Sequence, residues 1–94
     1  MYQNSKEETT RLVNRMARII GHANKVKSMI AEGADTADVL IQLAAVRAAL
    51  TSTSKLIIEG HVADSMERMS GMESEEERQE TLAGIMDIMN QFIK

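Results

Sequence analysis

The chain contains no cysteine and no proline, and its only aromatic residues are Tyr2 and Phe92. Without cysteine there can be no disulfide, no thiolate metal site, no redox switch and no thiol-based sensing. Without proline nothing forces a break in a long helix. No apolar run approaches the length needed to span a bilayer, and the N-terminus lacks a signal-peptide pattern, so the expectation is a cytoplasmic protein with no membrane partner. What remains is rich in Ala, Leu, Met, Glu, Lys, Arg and Gln, which favour helix, and an all-α fold is predicted. At 94 residues there is room for one core, so residues 1–94 are expected to be a single domain.

Start and stop signals divide the chain into three helices. Ser5 and Glu8 match a capping box, from which a helix can run to about Ala31, with Gly33 at a plausible stop. Asp35 is a good N-cap for a second helix, with Asp38 in its first turn, and that helix continues to about Met69. Gly60 is its weak link and Ser70-Gly71 its end. Ser74 and Glu77 form another capping box, predicting a third helix from about Glu75 to Phe92.

Periodicity supports the division. Leu12, Met16, Ile19, Ala23, Val26 and Ile30 recur at spacings of four and three, which predicts a buried seam along the first helix. Leu82, Ile85, Met86, Met89, Phe92 and Ile93 draw a similar stripe on the third. The second helix is apolar nearly all round from Ala37 to Leu50, with Ala44, Ala45, Ala48 and Ala49 permitting close approach. A helix of more than 30 residues is about 50 Å long, too long for two shorter helices of the same chain to cover on every side. A homo-oligomer is therefore expected, at least a dimer, with the second helix as its central packing element.

Charge is distributed unevenly. The first 31 residues hold six basic side chains against Glu7 and Glu8, a net +4, while the rest carries −7, which together give the −3 of the whole chain. Arg11, Arg15, Arg18, His22 and Lys25 follow the seam's spacing one residue out of phase, and no carboxylate lies between Thr9 and Ala31. A solvated charged face would look like this. So would a surface for polyanions, and the predominance of Arg suits bidentate phosphate contact. With Arg47 from the second helix, these are the candidate DNA-binding residues. No helix-turn-helix, zinc-finger or basic-zipper pattern is visible, so any DNA binding would use a helical face, shape and phosphates.

The run from Arg15 to His22 (RMARIIGH), the block from Asp35 to Leu50 (DTADVLIQLAAVRAAL) and Glu59-Gly60-His61 resemble the CsoR/RcnR/FrmR family of bacterial metal- or formaldehyde-responsive transcriptional repressors. The resemblance spans nearly the whole chain. It implies a three-helix subunit with a long central helix, an antiparallel dimer assembling into a flat tetramer. It also implies repression through double-stranded operator DNA, bound by positive charge on the first helices and released when an effector occupies a site between subunits. Where relatives often carry Lys or Arg this chain has Ala17, and where some carry a charge it has Ile20.

The resemblance places the effector positions at Thr36, His61 and Ser65, where copper-sensing members have Cys, His and Cys. The Tyr and Glu that support the histidine in copper sensors correspond to Asp35 and Gly84. Cu(I) wants soft thiolates, and Thr36 lacks the nucleophilicity that aldehyde or persulfide sensing needs, so these effectors are excluded. His61 with Asp64 and Ser65 one turn on, and Thr36 and Asp35 from another subunit, could hold Zn(II), Ni(II) or Co(II) weakly, or a small organic effector. Equally, His61 could hydrogen-bond within an interface and Asp64 be solvated. No cofactor is certain.

Other polar groups have plainer roles. Ser65, His61 and Asp64 lie on the same or adjacent turns and point wrongly for a catalytic relay, so no enzyme is expected. Met66, Met69 and Met72 read as packing, and Glu73, Glu75, Glu76 and Glu77 as favouring a helix N-terminus. The competing functional class is a degenerate helical interaction module that hetero-oligomerises with a paralogous repressor and senses no effector itself.

Overall fold

A computed structural model describes residues 5–93; Tyr2 and Lys94, counted above, lie outside them. The order is α1 (Lys6–Ala31), α2 (Thr36–Met69) and α3 (Glu75–Phe92), with no strand among the described residues. The boundaries follow from the predicted caps. The Oγ of Ser5 accepts from the Glu8 N–H at 3.1 Å, and that of Ser74 from the Glu77 N–H at 3.4 Å. Asp35 Oδ2 accepts from the Ala37 N–H at 3.2 Å. Each satisfies a donor that the first helical turn would otherwise leave unpaired.

The end of α1 is a Schellman turn. The Ala34 N–H donates to the Met29 carbonyl at 2.9 Å and the Gly33 N–H to the Ile30 carbonyl at 3.2 Å. Gly33 adopts φ 74, a left-handed conformation that a side chain would resist.

The described residues separate into two compact units, one of residues 5–53 and one beginning at Ser54, so that α2 contributes to both. In the first unit, α1 and the opening half of α2 form an antiparallel hairpin. Ile19 and Val26 are buried, and Leu12, Arg15, His22 and Met29 are half-buried on the same face. Val39, Gln42, Val46 and Ala49 are half-buried, and Thr53 buried, at matching three-four spacing on α2. This corrects the predicted seam: Met16, Ala23 and Ile30 are exposed, and Arg15, His22 and Met29 take their places. In a helix the two rows are one 100° step apart, and the polar bonds described below draw the outer row inward.

In the second unit Ile58 and Ser65 of α2 and Ile85 of α3 are buried, with Ile57, Val62, Met69, Arg78, Thr81 and Ile88 half-buried. The stripe expected on α3 is corrected likewise. Only Ile85 of it is enclosed, while Leu82, Met86, Met89, Phe92 and Ile93 remain exposed, Phe92 at 62%. Arg78 bonds back to the Met72 carbonyl and pairs with Glu75 at 3.6 Å, which closes the α2–α3 connection.

Exposed apolar side chains are numerous on α2 as well. Leu40 is 59% exposed, Ile41 62%, and Leu43 and Leu50 are open too. Only four hydrophobic residues, Ile19, Val26, Ile58 and Ile85, are buried among the described residues. A single chain thus leaves most of its large apolar side chains in water, each forgoing about 1.5–3 kcal/mol of burial.

Candidate functional site

The basic row of α1 divides in two. Arg11, Arg18 and Lys25 are exposed, and their seven-residue spacing sets them along one line of the helix. Arg15 and His22 turn toward α2, which corrects the expectation of a single continuous face. The Nε–H of Arg15 donates to the Thr53 Oγ1 at 3.0 Å, and His22 Nε2 lies 2.7 Å from Gln42 Oε1. Arg47 is exposed on α2. The ion pairs resolved among the described residues, Arg68–Asp64 and Arg78–Glu75, lie elsewhere, and the carboxylates of α1, Glu7 and Glu8, are confined to its first turn. The exposed cations are separated by two helical turns, about 10 Å, so each can meet a different phosphate.

The residues expected to hold an effector divide between the units. Asp35 and Thr36 belong to the first, and both are exposed; His61, Asp64 and Ser65 belong to the second. Asp35 already serves as the N-cap of α2. Ser65 is 2% exposed. Its hydroxyl accepts from Arg68 Nη2 at 3.3 Å, while Arg68 Nε pairs with Asp64 Oδ2 at 3.2 Å. Arg68 therefore occupies both oxygens that were expected beside His61, and Asp64 is paired rather than merely solvated. His61 is half-buried and has an interaction of its own. The residues missed in the sequence are Arg68, Thr53 and Gln42. Arg68 could have been found from its position four residues after Asp64; the other two carry no sequence signal beyond being polar on an apolar helix.

The family described as metal-sensitive transcriptional repressors matches residues 8–91. This chain belongs to that family. The copper-sensing transcriptional repressor CsoR of Bacillus subtilis is 26% identical, covering 96% of this chain and 86% of the relative. The transcriptional repressor RcnR of Salmonella typhimurium is 31% identical over 89% of this chain and 90% of its own length. Among solved structures, the nickel-responsive transcriptional regulator InrS superposes with a TM-score of 0.80 at 34% identity, covering 99% of this chain and 98% of that one. The copper-sensing repressor CsoR with Cu(I) from Geobacillus thermodenitrificans gives 0.83 at 27% identity, covering 100% and 95%. The expected all-α, three-helix architecture is that of these repressors, and the family is one of transcriptional regulators rather than enzymes.

A metal-sensitive family raises the question of which donors this repressor offers. Thr36 and Ser65 are alcohols, Ser65 is enclosed and bonded to Arg68, and His61 is the single imidazole of the set. Such donors do not fit Cu(I), whose affinity rests on thiolate or several soft ligands. Among the described residues of one chain, no group of three or more His, Cys, Asp or Glu gathers as a metal site.

Proposed function

We propose that this chain is a homo-oligomeric repressor that binds double-stranded operator DNA through α1 and is released by an effector other than Cu(I), an aldehyde or a persulfide. Residues 1–94 act as one regulatory domain in the cytoplasm, assembled as an antiparallel dimer and then a flat tetramer. The observation that carries DNA binding is the carboxylate-free row Arg11, Arg18 and Lys25, with Arg15 beside it. Such a row releases counterions when it meets phosphates. His22, tied to Gln42, is a packing residue that holds α1 in place rather than a base or phosphate contact. Arg47 adds charge from α2.

The family membership supports repression, and the exposed apolar side chains of α2 and α3 support assembly. His61 is the residue through which a divalent ion (Zn, Ni or Co) or a small organic effector would act, with Thr36 and Asp35 of another subunit and Asp64 and Ser65 of its own nearby in the assembly. Any such ligand must compete with Arg68 for Asp64 and Ser65.

Mobility of a labelled duplex from immediately upstream of the coding sequence tests this. The protein alone should retard it, and Arg11→Ala with Arg18→Ala should weaken binding and lower the salt slope by about 0.9 for each phosphate no longer neutralised. Unchanged affinity at fixed salt would remove this face from DNA recognition. The competing reading is an interaction module that works only alongside a paralogous repressor, and the loss of thiols at Thr36 and Ser65 favours it. It predicts retardation only when the paralogue is added.

A further inference from the structure

Arg15, Arg68 and Arg78 make side-chain bonds among the described residues, and one of them differs from the others. Arg68 pairs with Asp64 and Arg78 with Glu75, whereas half-buried Arg15 has no carboxylate within ion-pair distance among the described residues. Its one partner among the described residues is neutral, the hydroxyl oxygen of Thr53 at 3.0 Å. Thr53 is 4% exposed, and its own hydroxyl hydrogen is committed to the Ala49 carbonyl at 2.9 Å. Its oxygen therefore faces Arg15 purely as an acceptor.

A guanidinium has five N–H donors in a planar fork. The bond to Thr53 uses the single donor on Nε and leaves the four on Nη1 and Nη2, the end-on edge that matches two oxygens of a phosphate. A tie made only for packing needs no charge, and the His22–Gln42 bond on the same face joins the same two helices through side chains that can both be neutral. Holding a partly desolvated cation without a counter-charge is unfavourable unless an anion arrives.

We propose that Thr53 is a positioning residue for DNA binding, holding Arg15 by its Nε–H so that the Nη1/Nη2 fork is presented to a phosphate of the duplex. The inference rests on the DNA-binding reading given above. Thr53→Val keeps the shape and the charge of Arg15 but frees its guanidinium, which must then be ordered on binding. Affinity for the labelled upstream duplex should fall about three- to tenfold, with the salt slope unchanged. Arg15→Ala should weaken binding and lower the slope by about 0.9. Thr53→Ser, which keeps the hydroxyl, should bind as the wild type does. In the Arg15→Ala background, Thr53→Val should have no further effect.

Wild-type affinity in Thr53→Val, with Arg15→Ala weakened, overturns the inference and leaves DNA binding standing. An equal loss from Thr53→Val with and without Arg15 overturns it too, because the threonine would then act only on the fold. If Thr53→Val does not fold, Thr53→Ala carries the test, since it too removes the acceptor and leaves Arg15 in place. A fall in affinity at constant slope supports the inference, and unchanged affinity overturns it. Absence of retardation by the wild-type protein at low salt overturns the DNA-binding reading and this inference together.

Discussion

His22 Nε2 and Gln42 Oε1 stand 2.7 Å apart on the packed face of α1 and α2, a polar bond where the sequence offered a basic stripe on one side and an apolar helix on the other. Both side chains are half-buried, so each would lose hydration without its partner. The neutral imidazole must carry its hydrogen on Nε2 to donate to this oxygen, as the imidazolium also does.

His22→Leu should therefore cost about 1–2 kcal/mol in denaturant unfolding, because Gln42 keeps its desolvation and loses its bond. Gln42→Leu should cost a similar amount, and the double replacement less than the sum of the two. Strict additivity would show that the pair is not coupled.

Gly33 sets the turn from α1 into α2. Its φ of 74 costs a non-glycine residue about 1 kcal/mol, although no heavy atom crowds a Cβ there. Gly33→Ala should lower the unfolding free energy by about that amount with no change in secondary structure measured by circular dichroism, and Gly33→Asn by less. A stabilised Gly33→Ala would contradict the turn geometry.

Leu40 and Ile41 are more than half exposed in the single chain. Light scattering at micromolar concentration should give at least a dimer, with a tetramer expected. Ile41→Glu or Ala45→Glu would place an unpaired charge in a helix contact and cost several kcal/mol of assembly, leaving smaller species or unfolded chains. A folded, helical wild-type monomer would contradict the assembly.

Copper(I) should neither bind tightly nor release DNA, because Thr36 and Ser65 cannot act as thiolates. In competition with a Cu(I) chelator, capture of one ion per subunit would show that the methionines supply a site. Thr36→Cys with Ser65→Cys should gain Cu(I) affinity, and Arg68→Ala added to them should raise it further by removing the donor that occupies Ser65. Any divalent ion that releases DNA should lose its effect in His61→Ala.

Helix ends were legible because their causes are local. Ser5, Ser74 and Asp35 each bond a backbone N–H two or three residues on, and Gly33 has the one left-handed φ among the described residues, so four positions announce the boundaries. The side of α1 that packs was not legible in the same way. Met16 and Arg15, Ala23 and His22, Ile30 and Met29 are neighbouring positions, and an apolar period places a stripe only to within one helical step. Apolar residues on both rows signal two faces to be covered without saying which faces its own chain. The bonds of Asp64 and Ser65 to Arg68 were not legible either, because they are decided by which side chains meet.

By itself the sequence determined the elements: three helices and their ends, a cation-rich α1 with no carboxylate between Thr9 and Ala31, and a chain without a single thiol. Those properties follow from bonds and charges within a few residues of each other. Only tertiary structure decided that Arg15 and His22 turn inward to Thr53 and Gln42, that Arg11, Arg18 and Lys25 remain in water, and that the stripe of α3 is left uncovered. The inward turn of Arg15 and His22 depends on partners 38 and 20 residues away, which no local pattern in α1 specifies.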